Sequence, residues 1–160
     1  MVLNSAQGGI LAGKLGTGSP LPPRKTRKDF QTLTEIRAKE AEVLAKNGNE
    51  QGAYYLAGFA VECALKACIA KKTKRHDFPL SAKDANRIYS HDLGELLKLA
   101  EMGTQLDKAM KRSRALRENW VVVQNWSVDS RYETSGLKGA DMNAAVNSAQ
   151  GVLQWIKRRW

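Results

Sequence analysis

At 160 residues, with 42% hydrophobic and 26% charged side chains, the chain holds enough material for one domain with its own core. That excludes a multidomain enzyme and wholesale disorder. Lys and Arg total 26 against 16 Asp and Glu, a net charge of +10, so a polyanion is the natural partner: nucleic acid or nucleotide first, an anionic surface second, with a merely solvated basic face as the plain alternative.

Residues 1–23 are rich in Gly, Ser and Pro, carry Lys14 as their one charge and show no helical or strand period. A flexible segment over 1–27 is expected to precede a folded domain over 28–160. Residues 14–19 read as three adjacent cloning sites translated in frame, which points to a vector-derived origin. The segment lacks the G-x-x-x-x-G-K-[ST] pattern of a phosphate loop and the basic-then-apolar start of a secretory signal. A cytoplasmic protein is expected.

From Lys28 to Lys46 the apolar positions Phe30, Leu33, Ile36, Ala41 and Leu44 recur every three or four residues and predict an amphipathic helix. Asn47-Gly48-Asn49 ends it, with Gly48 suited to a left-handed turn and Asn49 to capping a second helix. That second helix, Glu50 to about Lys72, is apolar almost all round, which predicts the centre of the fold. Its Gly and Ala positions, Gly58 among them, allow close neighbours. The apolar run Tyr54 to Ala70 is interrupted by Glu62 and Lys66, so no transmembrane span and no membrane partner are expected. Cys63 and Cys68, five residues apart on this helix, cannot comfortably bridge. With His76 and His91 the only histidines, no metal site or cofactor is expected, and small buried thiols in a reducing compartment are.

The cations from Lys71 to His76 suit a helix C-terminus, and Phe78-Pro79 breaks the pattern. Ser81 to Tyr89 reads as a short helix, and Asp92 with Glu95 starts another, to about Met102. Thr104 with Asp107 opens a helix predicted to run unbroken from Gln105 to Trp126, with Leu106, Ala109, Met110, Leu116, Trp120 and Val123 on one face. After a loop, a last helix from Asp141 carries Met142, Ala145, Val146, Ala149, Val152, Leu153, Ile156 and Trp160 as its stripe. No segment alternates with period two. The fold class read from this is all-α, an up-and-down bundle of four to five helices.

The run Ala53 to Ala67, with Glu62 and Lys66, resembles the second helix of HEPN-domain proteins. His91-Asp92-Leu93 is similar to that family's His-x-Leu helix start, and Arg131-Tyr132 to its Arg-Tyr pair. The resemblance covers residues 28–160. It implies a helical bundle, commonly a homodimer, that binds nucleotide or RNA beside a nucleotidyltransferase or antitoxin partner, in some members as a ribonuclease toxin. The ribonuclease branch carries Arg, four to six residues, then His. Here no histidine follows Arg131, and Arg87 precedes His91 with only three residues between. Binding without intrinsic nuclease activity is therefore the leading expectation. A metal-independent endoribonuclease using His91 with Arg87 or Arg131 is the enzyme rival, and a helical protein-interaction subunit the third reading.

Cleavage at a 2′-hydroxyl needs a proton acceptor and a cation at one phosphate, which is why the histidine matters. His91 bonded locally at a helix start is the plain alternative. Glu62 and Lys66 stand one turn apart in the favourable order and form either an intrahelical pair or, with Glu62 facing His91 or Arg131, part of a ligand site. Arg131 and Tyr132 are either a phosphate-and-base pair or a packed loop anchor. Lys108, Lys111, Arg112, Arg114 and Arg117 fall within ten residues that contain no acid. They are candidates for nucleic-acid backbone contact, or else a solvated helix face. Trp120, Trp126 and Trp155 read as core.

Overall fold

The computed structural model describes residues 25–76 and 87–160, and every regular element among them is helical. In chain order these are α1 (Arg27–Lys46), α2 (Glu50–His76), α3 (Leu93–Leu99), α4 (Gly103–Arg112), α5 (Arg114–Val123), a 3-10 turn (Val128–Tyr132), α6 (Gly139–Asn147) and α7 (Val152–Lys157). The predicted N-terminal segment up to residue 24, and most of the predicted helix from Ser81 to Tyr89, lie outside the described residues.

α1 starts one residue ahead of the predicted Lys28 because Thr26 and Asp29 form a capping box, each side chain bonding the other's backbone N–H. Gly48 closes it with φ of 72°, as the Asn-Gly-Asn run predicted. The buried line along α1 is Thr34, Ala38 and Ala41. It is not the predicted larger stripe, in which Ile36 is 43% exposed. The reason is spacing. α2 carries Ala53, Ala57, Ala60, Ala64 and Ala67, all fully buried, and such small side chains let neighbouring helices approach closely, as Gly139 of α6 does at Ala53. Thr34 fits there because its hydroxyl donates to the Phe30 carbonyl at 2.9 Å.

α2 is the axis of the bundle, with α1, α3, the 3-10 turn, α6 and α7 packed around it. By length and hydropathy Glu50–Thr73 is apolar enough to cross a membrane, contrary to the sequence reading. Two-thirds of that stretch is buried inside the protein, which a core helix explains equally well. Val61, Leu65 and Ile69 sit in one cluster with Leu96, Leu106, Met142, Leu153 and Ile156, each large side chain contributing about 2 kcal/mol by leaving water. Gly58 receives the indole of Trp126, which occupies the space a Cβ would take, and Trp126 Nε1 donates to the Tyr55 carbonyl at 3.2 Å.

Two helices expected to be continuous are broken. The predicted Gln105–Trp126 helix divides at Ser113, whose backbone is extended (φ −132°, ψ 107°) and whose hydroxyl accepts from Leu116 N. A serine that satisfies a first-turn donor starts a helix in place of continuing one. α4 itself begins at Gly103 with no side-chain cap, so the predicted Thr104 start is not used. The last helix divides at Ser148 (ψ 167°), where Ser148 and Gly151 interrupt the good helix formers. Val152, Leu153 and Ile156 remain buried beyond the break, whereas Ala149 turns outward. α3 is capped as predicted by Asp92, which accepts from Glu95 N at 2.8 Å. It ends at Leu99, short of Met102, and the Glu95 carboxylate is taken by Arg87 and Lys98.

Helix propensity alone makes Gly58→Ala stabilising by about 1 kcal/mol. The seated indole reverses the sign, and a net loss on the order of 2 kcal/mol is expected in urea unfolding. Burial pushes the Cys63 thiol up to about 12 and the Cys68 thiol up to about 11. Both therefore stay protonated through pH 8 and should resist alkylation in the native protein, reacting only on unfolding.

Candidate functional site

One face of α2 is lined with polar and aromatic groups. Tyr55, Phe59, Glu62 and Lys66 repeat at intervals of four, three and four residues, which aligns them along one side of a 3.6-residue helix. Tyr55 and Phe59 stack with centroids 6.0 Å apart. The Arg37 guanidinium of α1 lies 6.0 Å from the Phe59 ring centre while paired with Glu40.

Glu62 is the unusual member, 1% exposed. A buried carboxylate costs several kcal/mol unless its oxygens are occupied. Here Lys66 Nζ reaches Oε1 at 2.8 Å, and His91 Nδ1 lies 3.1 and 3.0 Å from the two oxygens. Both readings of the Glu62–Lys66 spacing therefore hold: the intrahelical pair forms, and the carboxylate also binds His91. A carboxylate facing Nδ1 fixes the proton on that nitrogen. The His91 side chain is half exposed, and Nε2 has no protein partner among the described residues. Arg87, its predicted companion, donates to Glu95 Oε2 at 3.0 Å, which engages its charge outside the Glu62 cluster.

At the Tyr55 end of the strip stands the 3-10 turn, started by Ser127, whose hydroxyl accepts from Asp129 N. It presents Arg131 with its guanidinium carbon 4.8 Å from the Tyr132 ring centre. Both residues are exposed, Tyr132 by 71%, so they do not form a packed loop anchor. The hydroxyl of Tyr132, and then that of Tyr55, hold the Arg131 pKa above its ordinary value. No carboxylate pairs with it among the described residues. Arg131 and His91 thus meet the same side of α2 at Tyr55 and Glu62 respectively, two residues about 10 Å apart along the helix axis at 1.5 Å per residue.

The family model for the HEPN domain matches residues 34–160, which is most of the chain and all of the elements that build this strip except the first turns of α1. The chain belongs to the HEPN family. No curated protein and no solved structure matches it significantly.

Within this HEPN domain the five clustered cations are all exposed, but the break at Ser113 divides them. Lys108, Lys111 and Arg112 sit on α4, and Arg114 and Arg117 on α5. Lys111 and Arg117 line one shallow hollow with Asp107 and Met110, Arg112 lines another, and Arg114 pairs with Glu118 at 2.6 Å. The predicted continuous helix face is thus replaced by two helices, whose cations Lys111 and Arg117 still meet at one hollow. Trp120, Trp126 and Trp155 are buried as predicted. Tyr55, Phe59 and Arg37 are the strip residues that sequence reasoning passed over. The signal was present in the four-three-four spacing that joins Tyr55 to Glu62 and Lys66, masked by the apolar residues on every other side of α2.

Removing one partner of a buried ion pair leaves the other uncompensated. Glu62→Ala should lower the unfolding free energy by on the order of 3 kcal/mol, read in urea melts. Glu62→Leu combined with Lys66→Met should recover most of that loss, because an apolar pair of similar volume has no charge to desolvate.

Proposed function

We propose that this HEPN domain binds the phosphates of a nucleotide or RNA along the α2 strip and has no intrinsic nuclease activity. The observation that carries the reading is Arg131: an exposed guanidinium without a carboxylate, face to face with an exposed tyrosine. Many surface cations find acids, as in Arg37–Glu40, Lys46–Glu42, Arg87–Glu95, Lys98–Glu95 and Lys157–Glu35; Arg131 combines the lack of one with an aromatic face beside it. A cation left unpaired beside an aromatic face suits a ligand that brings both a phosphate and a base. In this reading Arg131 holds phosphate, Tyr132 stacks on a base, and His91 meets a neighbouring group at the far end of the strip.

Cleavage is disfavoured by the same spacing. Base and cation must serve one phosphate, yet His91 and Arg131 meet α2 at residues about two turns apart, Glu62 and Tyr55. The nearer cations are committed, Lys66 to Glu62 and Arg87 to Glu95. One observation favours the rival ribonuclease: the Glu62 carboxylate on Nδ1 leaves His91 Nε2 as an acceptor open to solvent, the state a general base requires. Dimerisation, and a nucleotidyltransferase or antitoxin partner, belong to the proposal as what membership of the family suggests.

Fluorescent ATP and short labelled RNAs titrated at physiological salt test the reading. Arg131→Ala and Tyr132→Ala should each weaken binding about tenfold, the scale of one charge-assisted hydrogen bond or one stacked base. Binding no tighter than to a charge-matched control protein would end the proposal. Metal-free RNA cleavage abolished by His91→Ala would replace it with the ribonuclease.

A further inference from the structure

A second basic hollow, which shares no residue with the α2 strip, lies between the α4–α5 break and the segment joining α6 to α7. It is about 650 Å³ in volume, within the range of small-ligand sites. Its lining includes three arginines, Arg112, Arg158 and Arg159, and three glutamines, Gln105, Gln150 and Gln154, and no carboxylate. On a protein that elsewhere neutralises many of its surface cations pairwise, three guanidinium groups around one hollow with no acid form a concentrated positive field.

One of the three is held in place. Arg159 Nε donates to Gln105 Oε1 at 3.1 Å and Nη1 to the Trp155 carbonyl at 2.6 Å, with the guanidinium carbon 3.9 Å from the Trp155 ring centre. Every one of these partners is neutral, so the fork is oriented while its charge remains uncompensated. Burial, and then the neighbouring Arg158, push its pKa down, the opposite of Arg131 beside its tyrosine hydroxyls. Trp155 is 8% exposed, and its indole N–H has no acceptor among the described residues. Gln105 and Arg159 also line an adjoining hollow of about 420 Å³ with Lys71, Lys72 and Glu101, where Lys72 is paired with Glu101; the uncompensated charge is that of the first groove.

We propose that this groove is a second phosphate-binding site, taking successive phosphates of a single strand or the polyphosphate of a nucleotide. Arg159 is the fixed fork, and Arg112 and Arg158 are the exposed cations at its rim. The helix breaks are what create it: an unbroken helix at Ser113 or at Ser148 would carry Arg112 or the Gln150 segment elsewhere.

The test compares two double variants of equal charge, Arg112→Glu with Arg158→Glu in the groove, and Lys28→Glu with Lys39→Glu on α1, outside it. All four residues are exposed, so folding should survive. Fluorescein-labelled ten-nucleotide RNA and fluorescent ATP are titrated by anisotropy over a salt series. The groove variant should bind at least one probe about tenfold more weakly and lower the salt slope for the strand by about 1.4, whereas the control changes binding less than about twofold. Loss confined to the RNA identifies a strand, and loss confined to ATP a nucleotide. Equal losses in the two variants, or none in the groove variant, overturn the proposal. Repeating the groove variant with Arg131→Ala separates the two sites. A groove effect that disappears there overturns the second site, and an inert Arg131→Ala beside an effective groove variant overturns the strip alone.

Discussion

A single carboxylate, buried in the middle of the central helix, organises the functional side of this protein. Glu62 is enclosed by packing, and its oxygens are answered by Lys66, which reaches back one turn, and by His91, which arrives from the start of α3. The same contacts that offset desolvation also dictate geometry. They attach the residues before α3 to α2, choose which ring nitrogen of His91 carries the proton, and withdraw Lys66 from the surface. The polar strip exists because a charge was placed in the core and had to be answered.

The other end of the strip follows from volume. Absence of a side chain at position 58 admits the Trp126 indole against α2, and that indole bonds the Tyr55 carbonyl. The chain leaving α5 is thereby anchored, and five residues later Arg131 and Tyr132 emerge beside Tyr55. An aromatic core contact and an exposed cation are in this way parts of one construction: the packing of Trp126 sets where the guanidinium can be.

Electrostatic sorting separates the surface into neutralised and unneutralised parts. Pairs such as Lys46–Glu42 and Arg114–Glu118 are exposed, screened by salt and worth little to stability. They matter as a background against which Arg131, and the Arg112, Arg158 and Arg159 group, stand out as charge without internal compensation. Among the described residues, part of the positive charge is gathered in these two places, one built on an aromatic strip and one on a groove of arginine and glutamine.

Much of this was legible in the amino-acid sequence, because it rests on local rules. Helical periodicity, the capping by Asp92, the turn at Gly48, the all-round apolarity of α2 and the one-turn Glu62–Lys66 spacing are determined within a few residues of chain, and the family motif marks Arg131, His91 and Glu62 without reference to the fold. What the sequence could not determine depends on distance between segments far apart in the chain. That His91 answers Glu62 across 29 residues, that Arg87 is taken by Glu95, that the basic run is split at Ser113, and that Arg112 faces Arg158 and Arg159 were decided by the tertiary structure. Periodicity reports which side of a helix is apolar, but only packing fixes how neighbouring helices are turned, and a charge acquires its role from what lies opposite it.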